Sequence, residues 1–351
     1  MNSKKWIKLW ALPFLVVPIV GAVNYLIDPL WLHSYETPFN QKRYNHNERV
    51  QKSGYFQYAT HDGQYDTLLL GSSRTTLYQQ SDFKNHKVFN YACAGMMPYE
   101  YQTYLDFVNA SKSMNLQHII LGLDFFASRA YKTKRDLSFL KEMKENKELY
   151  ALKQYLSFDA FKYSALQLYH IVRPPKHDVP TLVGRAKNRF YTPRNTVIEE
   201  IVNPDIVEKV AHKRSDYWPG MTFSETYTED LSRFKEKIKD YTLTVYTTPL
   251  SDPFLVKLYS NKDLRKYYFR WIKEMVGVFD SVYFFTLPSK LSKEYKNRCK
   301  DGDHYYPSST KKIIDIIEHR SSIEKYGIFI NKKNLDESLT YIENLIQHFQ
   351  K

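Results

Sequence analysis

The spacing of apolar positions changes several times along the chain, and each change predicts an element. From Leu9 to Ile27 the stretch LWALPFLVVPIVGAVNYLI carries no charged residue. Those 19 positions, at ~1.5 Å rise each, cover about the hydrocarbon thickness of a bilayer. Lys4, Lys5 and Lys8 precede the run, and neither Lys nor Arg occurs from Asp28 to Glu36. The positive-inside rule then predicts a transmembrane signal-anchor within residues 1–30, with its tip cytoplasmic and the rest of the chain outside. Pro13 and Pro18 are tolerated in a membrane-spanning helix. Trp6, Trp10, Tyr25 and Trp31 fall near the two ends, where an aromatic belt would lie. A cleavable signal peptide is the alternative, but Gly21 and Ala22 are followed by more apolar chain, which favours an uncleaved anchor.

Residues 31–62 are aromatic and polar with little periodicity and read as a stalk; residues 63–351 read as the main domain. Strand-length apolar runs follow at Tyr65–Leu70 (YDTLLL), Lys87–Tyr91 (KVFNY), His118–Leu123 (HIILGL), around Leu243–Val245 (YTLTVYTT) and at Ser281–Phe285 (SVYFF). Helical spacing runs from Tyr99 to Met114 and from Thr310 to His319. Apolar strands alternating with helices predict an α/β architecture, a doubly wound parallel sheet that binds ligands at the carboxyl ends of its strands. From about 127 to 237 the rhythm breaks, with a charged helical stretch (RDLSFLKEMKENKELYALKQYLS) and a Pro- and Arg-containing section around Pro174 to Pro193. It reads as a helical insertion, either a substrate-facing lid or a solvated excursion.

Composition narrows the function classes. The 43% hydrophobic and 16% aromatic content supports a folded core. The formal net charge of +13 favours anionic neighbours such as nucleic acid, lipid headgroups or acidic envelope polymers. No zinc-finger spacing and no RNP-like motif is present, so nucleic acid is set aside. Cys93 and Cys299 can be two buried thiols or, in an oxidising compartment, one disulfide. Phosphate-loop, dinucleotide-loop and HExxH patterns are missing, and neither a cofactor nor a metal is expected.

Candidate chemistry sits at two turns. The first strand ends in Leu70-Gly71-Ser72-Ser73-Arg74. The segment after it, TTLYQQ, can start a helix; a serine at that place projects into the crevice, and free N–H groups of the helix's first turn can hold an oxyanion. Late in the chain, Asp301-Gly302-Asp303-His304-Tyr305-Tyr306-Pro307 precedes the last amphipathic stretch seen in the pattern. Asp301 can there accept the Nδ1 proton of His304 and leave Nε2 to take the proton of a serine.

With these blocks in order, LLLGSSR, NYACAG, IILGLDFF and DGDHYYP, the chain resembles the SGNH (GDSL-like) hydrolases over about residues 65–320. With the N-terminal anchor it is most similar to the membrane-anchored extracytoplasmic SGNH-like proteins of polysaccharide O-acetylation and cell-envelope loci. The resemblance implies a flavodoxin-like sheet with Ser73 as nucleophile and Ser72 as fallback. It implies His304 as base, Asp301 as its orienting acid with Asp303 as runner-up, and the N–H groups of Ser73 and Gly95 at the oxyanion. The sequence departs from the family at Asp124, where the hydrolases carry an Asn that donates to the oxyanion. An ionised Asp cannot donate, and an ion pair of Asp124 with Arg74 is the expected arrangement.

Two functions follow as expectations. One is an extracytoplasmic serine acyl esterase or O-acyltransferase of bacterial cell-envelope or exported polysaccharide, held at the membrane by one helix. The other is a non-catalytic SGNH-like scaffold that partners a membrane acyltransferase or glycan-assembly system.

Overall fold

The structure is a computed structural model describing residues 3–40, 43–44, 46–111, 113–173, 189–191, 196–198, 200, 203–216 and 220–349. Its centre is a six-stranded sheet. The strands are β1 (Tyr65–Leu70), β2 (Val88–Asn90), β3 (Met114–Leu123), β4 (Thr242–Thr247), β5 (Ser281–Phe284) and β6 (Ile328–Asn331). Across the sheet they lie in the order β2-β1-β3-β4-β5-β6, parallel except for β6, which runs antiparallel to β5. The run of four leucine and threonine side chains from Thr67 to Leu70 is wholly buried, as befits a central parallel strand covered on both faces.

Alternation along β1 divides the core in two. Leu68 and Leu70 join the larger cluster, with α3 (Pro98–Asn109), α8 (Tyr227–Lys237), α9 (Asp252–Ser260), α10 (Lys262–Phe279) and α13 (Leu335–Phe349). Leu69 points the other way, into a cluster with α7 (Pro204–Ser215) and α12 (Pro307–Ile317). A side-chain period of two on a strand and apolar stripes on the helices make this arrangement the one that dries both sheet faces.

The expected alternation of strands and helices is present, with three differences. The helix expected as far as Met114 stops at Asn109, and Met114 instead opens β3 by pairing with Tyr65. The segment after Ser73 forms a three-residue 3₁₀ turn, Thr75–Leu77, in place of a helix. The sheet is not wholly parallel, because the short strand β6 returns along β5 before α13 packs behind it.

Between β3 and β4 the chain forms α4 (Ser138–Glu145), α5 (Lys147–Tyr155), α6 (Phe158–Val172), α7 and α8. Its section around Pro174 to Pro193 lies mostly outside the described residues. At the N-terminus, α1 spans Ser3–Ile27. Among the described residues, no helix is long and apolar enough to cross a membrane. Trp31, expected in an aromatic belt, is buried and packs edge-on against Tyr55. The 31–62 segment carries α2 (Glu48–Gly54), whose first residue follows the capping side chain of Asn47. Behind it Phe56 packs on Phe89 of β2, so this segment covers that edge of the sheet.

Candidate active site

The order β2-β1-β3 places a crevice beyond the carboxyl ends of β1 and β3, where successive crossovers leave in opposite directions. Gly71 starts the turn after β1 at φ 154°, and a Cβ there would strike the Thr75 side chain and the Gly122 carbonyl oxygen. Gly122 is equally tight, with the Tyr246 hydroxyl 2.7 Å from where its Cβ would stand. Thr75 fits between these two glycines and accepts a hydrogen bond from the Tyr246 hydroxyl at 3.2 Å. Gly71→Ala is therefore expected to lower stability by about 1–3 kcal/mol in chemical denaturation, through overpacking. Gly277→Ala, where a Cβ meets nothing, should cost no stability in the same measurement.

This turn separates the two serines. Ser72 is buried, and its Oγ accepts from the Arg74 N–H at 3.4 Å. Ser73 is partly exposed, and its Oγ lies 2.8 Å from His304 Nε2. On the far side of the imidazole, Nδ1 is 2.9 Å and 3.1 Å from the two oxygens of Asp301. It is also 2.9 Å from Asp303 Oδ1. With the proton on Nδ1 donated to Asp301, Nε2 is left to accept from the Ser73 hydroxyl. Asp301 also accepts from the His304 backbone N–H at 3.1 Å, which closes the turn that aims the ring.

Arg74 and Asp124 do meet, at 3.4 Å, but the shorter partner of Arg74 is Asp303, at 2.6 Å. Asp124 is buried and accepts a hydrogen bond from Thr248 Oγ1. Burial opposes ionisation of Asp303, but His304, Arg74 and Arg214 outweigh it and hold the carboxyl well below the usual range. Burial likewise opposes the charge on Arg74, yet Asp303 and Asp124 lift its pKa above the ordinary arginine value.

Arg214 is the residue that sequence reasoning missed. It comes from α7, within the insertion, and pairs with Asp301 and with Asp303, donating to Asp303 Oδ2 at 3.0 Å. The helix can approach because Gly302 has φ 94°, and a Cβ there would lie 2.9 Å from Ala211 Cα. Nothing in a KRS tripeptide on a charged helix signals such a contact.

The glycine block after β2 is held by α2. Ala94 N–H donates to Glu48 at 2.7 Å, Arg49 donates to the Ala94 carbonyl at 3.0 Å, and Lys52 donates to the Ala92 carbonyl at 2.5 Å. Arg49 is itself paired with buried Glu100 at 3.0 Å. The Cys93 N–H donates to the Gly71 carbonyl at 3.1 Å, joining this loop to the serine turn. Gly95 has φ 61°, the left-handed region that favours glycine. Neither its N–H nor that of Ser73 has a hydrogen-bond partner among the described residues.

Cys93 and Cys299 are separate buried thiols. Burial pushes the Cys93 thiol up to about 12, and Cys299 accepts from the Gly302 N–H at 3.0 Å beneath the acidic turn. Asp301, Asp303 and His304 are close enough together to share a cation. Arg74 and Arg214 already lie against the two carboxylates, so the donor set does not fit a metal ion.

No protein-family model matches the chain, and no curated protein sequence matches it.

Proposed function

We propose that this chain is a serine acyl esterase or O-acyltransferase of the SGNH type, with a flavodoxin-like catalytic domain held on the outer side of a bacterial membrane by α1. The observation that carries the reading is the line of contacts from Ser73 Oγ through His304 to Asp301, beside two backbone N–H groups without partners.

In this reading His304 Nε2 takes the Ser73 proton as Oγ attacks the acyl carbonyl. The new C–O bond forms as the carbonyl π pair moves onto oxygen. The oxyanion is assigned to the Ser73 and Gly95 N–H groups, and collapse expels the alcohol, which takes the proton back from His304. Water or a sugar hydroxyl then attacks the acyl-serine by the same steps. Asp301 keeps the imidazole in the productive tautomer and stabilises its charged form.

Asp124 contributes no donor to this oxyanion, because its carboxylate is engaged by Thr248 and Arg74. An oxyanion donor typically supplies about 10²–10³ in rate, so turnover should be modest. The basic excess of the chain matches an anionic envelope polysaccharide as that acceptor.

The test is covalent capture. A fluorophosphonate probe applied to the full chain is expected to modify Ser73, located by peptide mass spectrometry, and to leave His304→Ala unmodified. A pocket serving only as a scaffold would give no adduct at Ser73 in either protein.

A further inference from the structure

We propose that α5 and α6 form a membrane-docking surface that lays the catalytic domain against the lipid bilayer beside α1. The proposal rests on the anchored reading of α1 and adds a second lipid contact.

Exposed large apolar side chains are concentrated in one region. Among the described residues, all but Val256, Phe329 and Tyr341 lie on α1, on the loop after it, or on α5 and α6 with Leu156 between them. A water-soluble domain spreads such side chains singly, and a contiguous patch of them marks a partner or a membrane.

On α6, Ser164 and Gln167 are buried against the protein beside the core residue Ala160, whereas Phe158, Tyr169 and Val172 face outward together with the Asp159–Lys162 ion pair. Two polar side chains on the buried face and three large apolar ones outside depart from the usual pattern of a helix that covers a core. The buried polar face is satisfied by hydrogen bonds: Ser164 donates to Asn24 Oδ1 at 2.8 Å, and Asn24 donates to the carbonyls of Tyr155 and Ser157 at 2.7 and 3.0 Å. Those bonds fix the α5–α6 hairpin to α1 at one level.

That level fits lipid. Leu156, between α5 and α6, lies 3.0 Å from where a Cβ on Gly21 would be. Gly21 stands six residues before the end of α1 at Ile27, about 9 Å along the helix axis, which in the anchored reading sets how far the hairpin reaches below that end. Interfacial helices bury their apolar face by ~5–10 Å in the headgroup and acyl boundary. On α1, the helix that this hairpin packs against, Leu15 and Ile19 are likewise exposed. The occupant is therefore lipid, continuous with the lipid around α1. Docked in this way, the insertion would orient the domain that carries Arg214 and Ser73 relative to the bilayer.

Four forms of the full chain, each with one added exposed cysteine, decide this: Ile19→Cys, Leu152→Cys, Tyr169→Cys and Tyr341→Cys, each carrying an environment-sensitive fluorophore. All four positions are exposed, so the label leaves packing intact, and native Cys93 and Cys299 are buried from reagent. Tyr341 is the reference, because α13 covers β6, the sheet edge opposite β2. The proteins are reconstituted in phosphatidylcholine–phosphatidylglycerol vesicles containing nitroxide-labelled lipid. Quenching at positions 152 and 169 several-fold stronger than at 341, with 19 also quenched, is the expected result. Quenching at 19 alone would overturn the docking surface and leave the anchor standing. No quenching at any position would remove both. Positions 152 and 169 shielded from lipid but cross-linking between copies would make the patch a protein interface and overturn the proposal.

Discussion

Ser73→Ala is expected to lower kcat/KM for a chromogenic acetyl ester by about 10³-fold or more, the scale on which removing a triad nucleophile acts. Stability should hardly change, because the Ser73 side chain is partly exposed and the turn is fixed by other groups. Thr76 Oγ1 donates to the Ser73 carbonyl at 2.6 Å, and Gly71 and Thr75 set the chain path. Ser72→Ala separates the two serines. Its hydroxyl accepts a weak bond from Arg74 N–H and does not face His304, so activity should fall far less. Equal rates in wild type and Ser73→Ala would exclude the serine mechanism and leave the scaffold function.

Asp303→Asn should cost about 1–3 kcal/mol of stability at neutral pH, measured by urea unfolding of the full chain in detergent. The side chain is fully buried between two guanidiniums, and its loss weakens both pairs at once, leaving Arg74 to Asp124 and Arg214 to Asp301. The pH dependence carries a sign. The native carboxyl of Asp303 titrates well below its ordinary value, so it contributes stability in full above the unfolded pKa of ~3.9. That contribution is lost as pH falls through the lower native pKa. Wild type and variant should thus converge on acidification, and the wild type should show the steeper loss between about pH 5 and pH 2. Equal stabilities at pH 7 would mean that Asp124 and Asp301 by themselves compensate Arg74 and Arg214.

The same cluster shows why one part of the site was legible in the amino-acid pattern and another was not. Ser73 and the Asp301-to-His304 turn announce themselves because their chemistry is local: a small residue after a strand, and an acid three residues before a histidine. The network around them is not local. Arg214 reaches both the backbone carbonyl and the carboxylate of Asp301, 87 residues away in sequence, and Arg49 reaches Glu100 across 51. Charged helices such as α7 and α2 have the composition of solvated faces, and only packing turns their guanidiniums inward. The expected Arg74–Asp124 pair is one edge of this network, in which Asp303 takes the shorter bond.

Strand positions, alternation with helices and the placement of a serine at a strand end all follow from short-range rules, because side-chain period and backbone chirality act within a few residues. Those rules made β1, β3 and the covered sheet readable from apolar spacing alone. The return of β6, the docking of α7 through Gly302 and the grip of α2 on the glycine loop depend on which surfaces meet. Burying a charge or a backbone amide is tolerated only where a distant partner satisfies it, and such partners exist only in three dimensions.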